Sequence, residues 1–120
     1  MSTVIPNDEH GVLVLSILRG FMQDLRLEDF HGSYQPAVKS GKRLVLDLSD
    51  LDYIDSKHLA ALVVCYKRIA EAGGKIVFCG LKPAVRETFL VTRLDRIFAI
   101  APTRGEALRQ LADGEPQAKA

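Results

Sequence analysis

The chain has 120 residues, 48% of them hydrophobic and 26% charged, a size and composition that suit one domain with its own core and leave no room for a second. A balance of 16 Lys plus Arg against 15 Asp plus Glu leaves a net charge of +1, too weak a field to gather nucleic acid or an acidic membrane, so a protein partner is expected and no nucleic acid. The two cysteines, Cys65 and Cys79, have neither C-x-x-C nor metal-ligand spacing and read as buried free thiols suited to a reducing cytoplasm; no metal and no cofactor is expected.

Residues 1–10 carry no basic stretch followed by an apolar core, and no apolar run reaches the ~18 residues that span a bilayer. They are expected to be loose, and the protein to be soluble, cytoplasmic and without membrane insertion. Val12–Leu18 (VLVLSIL) reads as a strand ended by Arg19-Gly20, and Phe21–Leu25 as a short strand pairing back in an antiparallel hairpin. Leu27–Ser40 reads as a weak helix interrupted at Gly32 and Pro36. Arg43–Leu48 (RLVLDL) is a buried strand, followed by an acidic turn.

Asp55-Ser56 then opens a helix whose Leu59, Leu62, Val63, Tyr66, Ile69 and Ala70 make one apolar stripe, ending at Gly73-Gly74. Lys75–Cys79 is a strand, Lys82–Leu94 a helix with Pro83 in its first turn, and Ile97–Ala101 a strand. Thr103 and Glu106 have capping-box spacing for a last helix to about Ala112, after which residues 113–120 are expected to fray. Strands alternating with helices predict an α/β domain over residues 11–112, with a mixed, mostly parallel sheet, an amino-terminal antiparallel hairpin and helices packed on the sheet. Leu46, Leu62, Val63, Ile69, Val77, Phe78, Phe89 and Ile97 are expected in the core.

The chemistry concentrates at Asp55-Ser56, in the loop at the carboxyl end of a strand, where open α/β sheets present functional groups. A phosphoryl group on Ser56 would meet the free N–H groups and the positive end of the helix. The competing role is plain helix capping, worth about 1 kcal/mol. Asp55, Ser56 and His58 suggest a hydrolase triad, but residues two apart on a helix do not face each other, so His58 reads as a solvated first-turn residue and not as a base. No G-x-S-x-G elbow, no P-loop or dinucleotide glycine pattern, and no carboxylate cluster for Mg²⁺ of the kind a phosphoacceptor receiver domain needs is present. No catalytic residue is assigned. On the same helix, Ala61, Val64 and Cys65 fall off the core stripe. Either a second layer of the core covers them, or they form an apolar docking face beside Ser56.

The segment LVLDLSDLDYIDSKHLAALVVCYKRIAEAGGKIVFCGLKPAVRETFLVTRLDRIF resembles the core of the STAS domain family, and the similarity runs from about Val12 to Leu111. The resemblance implies a non-enzymatic anti-sigma factor antagonist. Such a protein binds an anti-sigma serine kinase of the histidine-kinase-like ATPase fold until that kinase phosphorylates the serine after the signature aspartate, and a phosphatase reverses the switch. Here the aspartate is Asp55 and the acceptor Ser56. The family pattern Asp-Ser-Ser-Gly-Leu is altered at Lys57 and His58, and a histidine in place of glycine is expected to block or retune docking of the kinase. The segment Gly20–Asp24 (GFMQD) stands where antagonists have G-x-L-D; Gln23 removes a negative charge, and Gln23 and Asp24 join the expected partner-binding surface. The other role open to such a domain is that of a scaffold or accessory subunit of a signalling or transport complex.

Overall fold

The computed structural model describes residues 4–23, 27–41 and 43–112. Five strands form one sheet in sequential order: β1 (Val4–Glu9), β2 (Val12–Ile17), β3 (Arg43–Asp47), β4 (Ile76–Cys79) and β5 (Ala99–Ala101). β1 and β2 are antiparallel and every later pair is parallel. The mixed sheet with an amino-terminal hairpin is therefore as expected, but the hairpin uses different residues. Residues 4–9, read as loose, form β1, and the chain reverses at His10-Gly11, both in the left-handed region at φ 57° and 82°. Two successive positive φ values fit the right-handed twist of a hairpin, and the edge position tolerates Pro6.

Phe21–Leu25 was expected to supply the second hairpin strand. Gly20–Gln23 is instead a helical turn, α1, held by Phe21 N–H to Leu18 O at 2.8 Å, while Asp24 and Leu25 lie outside the described residues. The turn drives Phe21 into the core against Phe30, with ring centroids 5.4 Å apart. Helix α2 (Leu27–Ser40) runs unbroken through Gly32 and Pro36. Its Phe30, Tyr34 and Ala37 are buried at helical spacing, and packing of that face outweighs the missing Pro36 N–H.

α3 (Ser56–Glu71) and α4 (Pro83–Val91) join α2 on one face of the sheet, over Leu15, Ile17, Leu44, Leu46 and Phe78. The other face, Val12, Val14, Val45, Val77 and Cys79, is covered by α5 (Arg104–Ala112) through Ala107 and Leu111. Strand alternation thus sorts the apolar residues into two cores. Leu46, Leu62, Ile69, Val77, Phe78 and Phe89 are buried as expected and Val63 is half-buried, but Ile97 is 56% exposed. A 3-10 turn at Leu94–Arg96 delays β5 to Ala99, so Phe98 is the residue that enters the core, stacking on Phe78 at 4.3 Å.

At the start of α5 the Thr103 hydroxyl accepts from Glu106 N–H at 3.1 Å. Glu106 does not complete the box; its carboxylate pairs with Arg109 at 2.9 Å. Arg104 reaches across the sheet to Glu9 of β1 (3.1 Å), Ser16 of β2 (2.6 Å) and Asp47 of β3 (3.2 Å). Both cysteines are free and buried, and burial pushes the Cys79 thiol up to about 12.

Gly80, at φ 71°, lets the end of β4 pass the turn after β3, because a Cβ there would stand 2.9 Å from Ser49 Cβ and 3.1 Å from Asp47 Oδ1. Gly80→Ala should therefore cost about 1–3 kcal/mol. A lowered urea midpoint with an unchanged slope is the expected readout, and an unchanged midpoint would refute the close approach.

Candidate functional site

The carboxyl ends of β2, β3 and β4 present three loops side by side, and the longest of them leads into Ser56. From Leu48 to Asp55 that loop buries every third residue: Leu48, Leu51 and Ile54 enter the core, while Asp52 and Tyr53 face outward and Asp50 is half-buried. Asp50 accepts from the Arg19 backbone N–H at 2.8 Å and pairs with its guanidinium at 3.4 Å. Lys82, at the start of α4, pairs with Asp52 at 2.9 Å. These hydrogen bonds hold both carboxyls below the usual carboxylate range, through the Arg19 backbone N–H first at Asp50 and the Lys82 ammonium first at Asp52. The loop before Ser56 is thus tied to both neighbouring loops. Sequence reasoning missed the Arg19 and Lys82 tethers, because only the strand order places those loops together.

Asp55 is the N-cap of α3, extended at φ −103° and ψ 177°, and its Oδ1 accepts from His58 N–H at 3.0 Å. Capping thus falls to Asp55. Ser56, the first helical residue, is exposed, and its hydroxyl makes no hydrogen bond among the described residues. The competing explanation for this serine, that it is spent on the helix cap, is absorbed by its neighbour.

His58 is not a solvated first-turn residue. Only 3% of it is exposed, its ring meets the Phe21 ring edge-on at 5.1 Å, and its Nδ1 lies 2.5 Å from Asp55 Oδ1. With Nδ1–H donating to the carboxylate, Nε2 is left as an acceptor, buried and without a partner among the described residues. Neither ring nitrogen contacts the Ser56 hydroxyl. The imidazole that stands in place of glycine thus points inward.

The expected docking residues separate into two groups. Gln23, Lys57, Ala61 and Val64 line one groove of about 460 Å³ with Leu27 and His31, between α3 and the α1–α2 segment, one turn from Ser56. Ala61 is buried at its floor and Val64 is half-buried. Cys65 is fully buried beneath α2, where burial pushes its thiol up, so it offers no docking surface. The second core layer claims Cys65 and leaves the groove to the others. Asp24 lies outside the described residues. Leu27, 47% exposed, was missed as a groove residue because the helix pattern of α2 alone does not show which side α3 leaves open. Among the described residues no His, Cys, Asp and Glu cluster could hold a metal, and no helix is long and apolar enough to cross a membrane.

Comparison with known proteins agrees with this geometry. The STAS domain model matches residues 9–107, and the chain belongs to the STAS domain family. A Bordetella bronchiseptica protein named as the anti-sigma factor antagonist BtrV is 33% identical over 101 residues, 83% of this chain and 87% of its own. Among solved structures, an anti-sigma-factor antagonist (STAS) domain protein of Planctomyces limnophilus superposes with a TM-score of 0.73 at 25% identity, over 92% of this chain and 99% of that one. A chain from the stressosome, a signal integration and transduction hub, superposes with a TM-score of 0.77 at 26% identity, over 91% and 96%. The relatives thus include anti-sigma factor antagonists, and the resemblance read from the strand–turn–helix segment holds over the whole fold.

His58→Gly should lower stability by about 3 kcal/mol or more, combining loss of a buried ring with glycine in a helix; an unchanged denaturation midpoint would contradict the buried position. Asp55, held below its usual value by the His58 side chain first and the His58 backbone N–H second, adds stability that is complete above about pH 4 and lost as pH falls through its folded value. The contribution is limited because the carboxylate is half exposed. Melting temperatures of wild type and Asp55→Asn should therefore converge only below about pH 4, and a constant gap down to pH 2 would argue against the pairing.

Proposed function

We propose that the protein is an anti-sigma factor antagonist that acts by binding, without chemistry of its own, and is switched by phosphorylation of Ser56. The observation that carries this reading is the Ser56 hydroxyl, exposed and without a hydrogen bond among the described residues at the first residue of α3, with Asp55 performing the cap. It stands where the family resemblance puts the acceptor. The partner is an anti-sigma serine kinase, with a phosphatase to reset the switch, and the setting is the cytoplasm.

The electrostatics favour a two-state switch. His58 N–H is answered by Asp55 Oδ1 and Leu59 N–H by the Asp55 carbonyl, leaving the first two amides of α3 for a phosphoryl group on Ser56. That group adds about −1.5 to −2 charges beside Asp55, with Lys57 as the adjacent cation. The kinase would rest on the loop tips around Ser56 and Tyr53 and on the groove of Gln23, Leu27 and Val64. A charge introduced at that edge weakens an apolar contact by desolvation and repulsion.

The scaffold role is favoured by one observation, the likeness to a stressosome chain. The two roles separate experimentally. Incubation with the genomically adjacent kinase and ATP should add one phosphate, located at Ser56 by mass spectrometry. Ser56→Ala should bind that kinase persistently, and Ser56→Glu should weaken binding about tenfold or more, with a carboxylate underreporting phosphate. An unmodified Ser56, with binding indifferent to Ser56→Glu, would leave the scaffold role standing.

A further inference from the structure

At the amino ends of the parallel strands, opposite the edge that carries Ser56, α3 stops at Ala72-Gly73-Gly74 beside the last turn of α5. An open cleft lies there, and its two lobes share Gly73, Gly74, Lys75, Gln110 and Leu111. One lobe, of about 390 Å³, is walled mainly by apolar groups, among them Tyr66, Ala70, Ile76 and Ile97. The other, of about 240 Å³, is bordered by Gly41, Arg43 and Lys75. The exposure of Ile97, unexplained by the core, places its side chain at the apolar wall of this cleft.

The charges at the second lobe are unusual in their placement. Leu44 pairs with Ile76, and Leu44 N–H donates to Lys75 O at 2.8 Å, so Lys75, the residue before β4, stands beside Arg43 of β3. Counting back from Val45 and Val77, both side chains leave the sheet on the α5 side. Like charges directly opposite on a sheet repel. Arg43 and Lys75, like Lys57, Lys67 and Arg86 elsewhere on the surface, have no ion pair among the described residues. Among the described residues no Asp or Glu lines either lobe. The carboxyl end of α5 adds the partial charge of its carbonyls, about half an elementary charge. Two adjacent, uncompensated cations therefore border an apolar wall.

We propose that this cleft binds a small, soluble amphiphilic anion, its charged head between Arg43 and Lys75 and its apolar body against Tyr66 and Ile97. The floor is open at Gly73, where a Cβ would meet nothing within 4 Å. An anionic head here relieves the repulsion between the two cations, and the body removes apolar surface from water. This site is on the far side of the molecule from Ser56 and does not depend on its role.

The probe is n-octyl phosphate, titrated into the isotope-labelled full chain and followed by backbone amide shifts. Saturable shifts are expected at Gly73, Gly74, Lys75 and Ala99. Arg43→Gln with Lys75→Gln should raise Kd by about tenfold or more, as expected for loss of charge-assisted hydrogen bonds. Ala70→Trp, which fills the apolar lobe from an exposed helix position, should weaken binding as well. Lys75→Glu alone, at an exposed position, supplies the charge comparison should the double variant fail to fold. Inorganic phosphate and 1-octanol, each lacking half of the ligand, should bind about tenfold more weakly. Shifts centred on the α2–α3 groove, affinity indifferent to the charge variants, or inorganic phosphate binding as tightly as the octyl ester would each overturn the proposal. So would sedimentation of the protein with anionic phospholipid vesicles, which would assign the cations to a bilayer surface.

Discussion

The contact among Asp55, His58 and Phe21 decides how the Ser56 edge is built. One carboxylate oxygen takes both the backbone and the ring N–H of His58, which fixes the first turn of α3, and the ring then leans on Phe21, which fixes α1. Phe21 in turn packs on Phe30 of α2. A single chain of contacts therefore joins the helix start that bears Ser56 to both elements that wall the neighbouring groove. A glycine at position 58 could provide the cap donor but none of the lateral support. In this chain the rigidity of the site is supplied by a buried side chain, at the cost of one imidazole nitrogen left without a hydrogen bond among the described residues.

Much of the fold was legible because period and punctuation agree. β3, β4, α3 and α4 each combine the expected apolar spacing with a glycine, proline or capping residue at an end, and local and global preference point the same way. The misses occur where one signal stood alone. β1 is polar and contains Pro6, so only its pairing with β2 and the His10-Gly11 turn reveal it. Pro36 reads as a helix breaker, but three buried residues on one face of α2 keep the helix whole. Ile97 and Phe98 differ by one residue, and only the 3-10 turn before them settles which one faces inward.

For the site, sequence located the serine and its aspartate but not the direction of the side chains around them. Helical spacing says that positions 58, 61 and 65 share a face; it does not say that α1 and α2 will cover it. Spacing thus suggests solvent for His58 and leaves Cys65 between a core layer and a docking face, whereas both are buried. Arg19 and Lys82 are far from Asp50 and Asp52 in sequence, and parallel strand order alone makes them neighbours. Side-chain type was readable from the chain, whereas side-chain address required the third dimension.

Arg104 shows a different kind of long-range dependence. Its guanidinium is answered by β1, β2 and β3 together, through Glu9, Ser16 and Asp47, although 95 residues separate it from the first of these. Because side chains alternate along a strand, a one-residue slip of β1 would carry Glu9 to the opposite face and leave the cation with a single carboxylate. The start of the last helix thereby acts as a gauge of alignment for the first hairpin. It discriminates against misregistered sheets that would bury nearly the same hydrophobic area, a distinction that apolar packing by itself makes poorly.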